Sequence, residues 1–124
     1  MASVDHFELA IAGEPIPNAR ARAGRSHYYT PKTTSEFRER IRSEWMLAGR
    51  PSLGGEPFAL SAAFFRSTKR PCDLDNLLKA VLDALNGYGW TDDSQLVALE
   101  GVRKLEAPTP RTVLRAWVAR RVAA

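Results

Sequence analysis

The chain has 124 residues, 44% of them hydrophobic, and carries 18 lysines and arginines against 14 acidic side chains, a formal charge of +4. That size and apolar content suit one folded domain, 1–124, and exclude a disordered polymer, while the positive excess favours a polyanionic partner such as nucleic acid. The lone cysteine, Cys72, excludes an internal disulfide framework and suits a reducing, cytoplasmic setting, and no uncharged run approaches the ~20 residues that would span a membrane.

The first element is a strand: Phe7 to Gly13 alternates apolar and polar residues before Gly13-Glu14-Pro15 breaks it. A long loop follows. From Asn18 to Lys32 it carries Arg20, Arg22, Arg25 and Lys32 with no acidic residue, interleaved with His27, Tyr28 and Tyr29. Basic residues between aromatics can track a phosphate backbone and stack on unpaired bases, although the tyrosines serve equally well as packing on a sheet.

Thr34 or Ser35 is placed to cap a helix on which Phe37, Ile41, Trp45 and Ala48 share one face, and Gly49, Pro51, Gly54 and Gly55 end it. Phe58 to Phe65 reads as a second strand with Phe58, Leu60, Ala62 and Phe64 on one side. Arg66, Lys69 and Arg70 lead out of it, and Lys69 and Arg70 join the loop residues as candidate DNA contacts.

Asp75 or Asn76 can cap the next helix, whose Leu77, Leu78, Val81, Leu82 and Leu85 form a broad apolar stripe ending before Gly87 and Gly89, with Lys79 and Asp83 pointing elsewhere. Val97–Leu105 and Thr112–Val118 read as further strands, and the turn with Pro108 and Pro110 between them predicts a hairpin that closes the sheet. The expected fold is α/β: a single compact domain with a small mixed sheet of about four strands and two main helices.

The chemistry concentrates in Asp73-Leu74-Asp75-Asn76-Leu77-Leu78-Lys79 and in Asp92-Asp93-Ser94-Gln95. Acids two apart in extended chain point the same way, so Asp73 and Asp75 converge if the chain stays extended through Asp73, and Asp93 joins them if the chain after the helix folds back. Like charges packed together need a compensating cation, and oxygen-only ligands select a hard one. Magnesium is favoured because it keeps waters and takes one or two carboxylates plus substrate phosphates, with manganese able to substitute. Asp75 also serves as a cap, Asp92 equally as a turn residue. Lys79 stands one turn beyond Asp75, where its ammonium either stabilises charge on a phosphate or pairs with Asp75 or Asp83.

Read together, these residues resemble the RusA family of Holliday-junction resolvases, whose pattern runs Asp-x-Asp-Asn-Leu-x-Lys, an amphipathic helix and a later Asp-Asp-x-Gln. The stretch Asp83-Ala84-Leu85-Asn86-Gly87 and the segment Tyr29-Thr30-Pro31-Lys32 are similar to it as well, whereas Pro17 to Arg22 follows the family's Pro-x-x-Arg-x-Arg style only loosely. The resemblance implies a compact RusA-like fold, a homodimer, and Asp73, Asp75 and Asp93 as metal ligands with Lys79 as catalytic lysine. It implies magnesium-dependent hydrolysis of branched DNA, chiefly four-way junctions, in recombination and repair, leaving a 5′ phosphate and a 3′ hydroxyl. Two rival readings are a non-catalytic protein that binds branched DNA and a metal-using nucleotide-sugar transferase, for which the chain is short.

Overall fold

In a computed structural model, which describes residues 2–18, 22–23, 28–29 and 32–120, the sheet is built around β6 (Phe58–Arg66). The other elements, in chain order, are β1 (Ala2–Ser3), β2 (His6–Ala12), β3 (Arg22–Ala23), β4 (Tyr28–Tyr29), α1 (Lys32–Leu47), β5 (Pro51–Ser52), α2 (Leu74–Leu85), a 3-10 turn (Asp93–Gln95), β7 (Leu96–Leu99), β8 (Arg103–Glu106) and β9 (Arg111–Val118). The mixed five-stranded sheet runs β2-β9-β6-β7, with β8 also beside β6. β1 pairs with β5 and β3 with β4 in two small separate ladders.

Alternation places every second side chain of β2, β9 and β6 on one face, and the register lines these up as cross-sheet rows. Phe7, Ala116 and Leu60 form one row, Leu9, Leu114 and Ala62 the next, and Ile11, Thr112 and Phe64 the third; all nine are buried. The helices cover this face. Phe37, Ile41 and Trp45 of α1 and Leu77, Ala80, Val81, Ala84 and Leu85 of α2 complete the core. The small Ala80 and Ala84 fill the most buried part of α2, whereas Leu78 and Leu82 lie only at its margin. Arg42 ties the helices by donating from Nε to the Ala84 carbonyl at 2.9 Å, a group near the helix end that lacks an intrahelical partner.

Three expectations change. Helix α1 begins at Lys32, so Thr34 and Ser35 lie inside its first turn, where the Thr34 hydroxyl donates to the Pro17 carbonyl, and Ala48 falls beyond the helix and is exposed. The stretch expected as one strand over Val97–Leu105 is two, β7 and β8, separated at Gly101, whose φ of 66° suits a residue without a Cβ. The expected hairpin is absent: β7 and β8 run parallel to β6 on one side, while β9 lies antiparallel on its other side. The Pro108 to Pro110 turn instead passes the end of β6, where Ala107 donates to the Arg66 carbonyl and Gly13 to that of Pro110. Among the described residues, no helix is long and apolar enough to cross a membrane.

Candidate active site

Between β6 and α2 the chain arrives through Pro71 and stays extended at Asp73, with φ −86° and ψ 134°. The Asp73 carbonyl closes the first turn of α2 by accepting from the amides of Asn76 and Leu77. Asp73 therefore occupies the N-cap position in place of the expected Asp75 or Asn76, yet its carboxylate makes no capping bond. Asp75 stands in the first turn, its Oδ1 accepting from the Asn76 amide at 3.0 Å, where the positive end of the helix favours its charge. Both carboxylates are exposed.

Four-residue spacing puts Asp75, Lys79 and Asp83 in one stripe down α2, with steps of about 6 Å. The Lys79 ammonium lies 3.6 Å from Asp83 Oδ1. The other Asp83 oxygen, Oδ2, accepts from Asn18 Nδ2 at 2.8 Å and from the Arg38 guanidinium at 3.1 Å. Arg38 also donates to Asn18 Oδ1 at 2.6 Å, and the Asn18 amide donates to the Asn76 carbonyl at 2.8 Å. A single half-buried carboxylate thus joins α2 to α1 and to the segment before the basic loop. Sequence reasoning offered Asp83 only as one possible ion-pair partner for Lys79 and gave no role to Asn18 or Arg38; the one available signal was that Asp83 shares Lys79's face of the helix.

Asp93 is held by a buried aromatic. Trp90 is fully enclosed, stacked on Phe58 at 4.4 Å and on Phe7 at 6.5 Å, and its Nε1 donates to Asp93 Oδ1 at 2.6 Å. The Asp93 amide donates to Asn86 Oδ1 at 3.0 Å. Asp92 takes the turn role: it accepts from Ser94, and its own amide donates to Gln95 Oε1, a reciprocal capping box. Gln95 fastens the turn further through the carbonyls of Gly54 and Glu56. Burial pushes the Asp93 carboxyl above the ordinary aspartate range, as do the charges of Asp83 and Asp92, against the Trp90 hydrogen bond and Lys79.

The chain after α2 does fold back, and it brings Asp93 into electrostatic reach of Lys79 and Asp83. It does not assemble a ready-made cage: among the described residues, no group of three or more His, Cys, Asp or Glu side chains stands in position to hold a metal ion. The oxygen-only donors Asp73, Asp75 and Asp93 match a hard divalent cation in chemical type, but not as a preformed three-carboxylate cluster.

Of the candidate DNA contacts, Arg20 and Arg25 lie outside the described residues, and Arg22 and Lys32 are described in backbone only, in β3 and at the start of α1. Lys69 and Arg70 are exposed on the turn between β6 and α2. Glu14 shapes that turn, its carboxylate accepting from the Ser67 amide, the Ser67 hydroxyl and the Thr68 amide. Burial alone would raise the Glu14 pKa, but these hydrogen bonds outweigh it and hold the carboxyl below its usual value. Lys104 of β8, which sequence reasoning missed, donates from Nζ to the Cys72 carbonyl at 2.5 Å and brings a further positive charge next to Asp73.

A family model described as Endodeoxyribonuclease RusA matches residues 12–116. A Bacillus subtilis (strain 168) protein, described as uncharacterized protein YqaN, is 28% identical over 134 residues, covering 87% of this chain and 93% of that protein.

Proposed function

Because the chain belongs to the RusA family of endodeoxyribonucleases, whose members act on branched DNA junctions, we propose that it is a magnesium-dependent enzyme that resolves four-way junctions by paired phosphodiester hydrolysis in recombination and repair. The observation that carries this reading is the alignment along α2. Exposed Asp73 and Asp75 open the helix, Lys79 follows one turn later, and Asp93 is held by Trp90 and by Asn86, the residue that caps the other end of α2.

Asp73, Asp75 and Asp93 are the proposed magnesium ligands, with manganese able to substitute. An ion that takes one or two carboxylates together with waters and phosphate oxygens does not require a preassembled cage. When bound, magnesium supplies Lewis acidity for hydrolysis. The chain's own contributions are distinct: Lys79 offsets negative charge on the attacked phosphate, Trp90 and Asn86 fix the direction of Asp93, and the basic residues hold the backbone. Arg20, Arg22, Arg25, Lys32, Lys69 and Arg70 are the proposed phosphate contacts. Two opposed incisions require two sites, and one chain carries one carboxylate set, so the proposed active form is a homodimer.

The test is a cleavage panel of four-way, three-way, flap and linear DNA, each with magnesium and with calcium. Magnesium-dependent cutting of the four-way substrate above the linear one is expected. Equal cutting of linear duplex overturns the resolvase assignment, and junction binding without any cutting identifies a non-catalytic branched-DNA-binding protein.

A further inference from the structure

We propose that Asp83 is a positioning residue for DNA cleavage, holding the Lys79 ammonium through one carboxylate oxygen while the other is anchored by Asn18 and by the Arg38 guanidinium of α1. The inference rests on the proposed nuclease reading and adds a residue and a role to it.

The geometry separates this carboxylate from an ordinary surface partner. An exposed pair four residues apart on a helix contributes little, and Lys79 alone would give Asp83 no special standing. Asp83, however, is half-buried and accepts two further hydrogen bonds from elements distant in sequence, at 2.8 Å from Asn18 and 3.1 Å from Arg38. Asn18 is itself buried and doubly held, since its amide donates to Asn76 and its Oδ1 accepts from Arg38. Asp83 Oδ2 is thereby fixed by groups on α1 and on the segment after β2. With one oxygen anchored, the rotation of the carboxylate is set, and Oδ1 presents a fixed negative point 3.6 Å from the Lys79 ammonium.

A mobile lysine samples many rotamers, and ordering it costs side-chain entropy. An anchored acceptor one helical turn away narrows that search before DNA arrives, which is preorganisation of a charge-stabilising group. The same carboxylate fixes Asn18, which precedes Arg20, Arg22 and Arg25 in the chain. A displacement of Asn18 is therefore transmitted to Lys79 through one side chain.

The experiment measures single-turnover cleavage of a labelled four-way junction at saturating protein for the parent, Asp83→Asn, Asp83→Glu, Lys79→Ala and the double variant Lys79→Ala/Asp83→Asn, with circular dichroism melts of each. Asp83→Asn keeps the shape but loses the charge, and its rate is expected to fall about 10-fold to 100-fold, the loss that misplacement by about 1 Å produces. Asp83→Glu keeps the charge and supports folding, but moves the oxygens by one methylene, so it too is expected to cut slowly. If Asp83 acts through Lys79, adding Asp83→Asn to Lys79→Ala costs less than about twofold more, whereas a fold defect would multiply. An Asp83→Glu protein that cuts at the parental rate overturns the proposal, as do losses that multiply in the double variant. A Lys79→Ala protein that cuts normally removes Lys79 from the chemistry and overturns the proposal too, whereas a parent that does not cut overturns the nuclease reading on which the proposal rests.

Discussion

Replacing Lys79 with alanine separates the two roles open to this side chain, because an exposed ion pair and a charge-stabilising donor differ widely in magnitude. As an ion pair, its ammonium sits 3.6 Å from Asp83, with the lysine side chain 63% exposed. Exposed pairs of this spacing contribute about 0.3–0.5 kcal/mol, and alanine's higher helix propensity returns part of that. The melting temperature should fall by no more than about 2 °C in a domain of this size. As a charge-stabilising donor at the phosphate, the same ammonium is worth about 10²–10³ in rate, or ~2.7–4 kcal/mol. The assay is single-turnover cleavage of a four-way junction at saturating protein, with affinity measured separately without magnesium. Slow cutting by a protein that melts and binds like the parent is expected. A rate within about threefold of the parent, or a loss that tracks a drop in melting temperature, would refute the catalytic reading and leave only the ion pair.

Asp93→Asn should abolish cleavage, retain junction binding and raise the melting temperature of the metal-free protein, since asparagine can still accept from Trp90 while shedding a charge that burial disfavours. The sign follows from linkage: the folded state holds the Asp93 proton more tightly than the unfolded one, so stability falls as pH rises from the ordinary aspartate range through the raised value. The gain from Asp93→Asn should therefore vanish in acid, and a gain unchanged down to about pH 3 in thermal melts would contradict the burial argument. Binding should be strongly salt-dependent, with six to ten phosphate contacts weakening affinity about 10³-fold to 10⁵-fold between 50 and 200 mM salt. Combining Arg20→Ala with Arg22→Ala should flatten that slope, and an unchanged slope in a titration would move the DNA surface to Lys69, Arg70 and Lys104. Light scattering should give a dimer, and a supercoiled plasmid with an extruded cruciform should yield linear product early; a monomer that accumulates nicked circles first would refute paired incision.

Much of the candidate site's layout was legible in the residues alone because its parts are close in sequence. Asp73, Asp75 and Lys79 fall within seven residues, so their order along one helix start follows from local spacing once the apolar stripe of Leu77, Val81 and Leu85 identifies the helix. The same local logic placed the strands over Phe7–Gly13, Phe58–Phe65 and Thr112–Val118 close to their observed bounds, since a period of two is written into each segment. The extra strand came from Gly101, whose positive φ breaks one apolar run into β7 and β8.

What the tertiary structure decided involves partners far apart in the chain. Whether the last strand turns back beside β8 or crosses to the other side of β6 is invisible to periodicity, because both placements bury the same face; contact with β2 and β6 together selects the crossing. Asp83 reads in sequence as no more than a possible ion-pair partner for Lys79. It becomes a hub only because Asn18, 65 residues away, and Arg38, 45 away, are carried to it by separate elements. Asp93 is a candidate ligand in sequence, but its carboxylate gains a fixed direction only where the buried Trp90, stacked on Phe58 and Phe7, aims an indole N–H at it. Local pattern determines which residues carry the chemistry, since side-chain type and spacing are properties of a short segment. Packing determines which of them meet, since hydrogen bonds and electrostatic coupling depend on distances that only the folded chain sets.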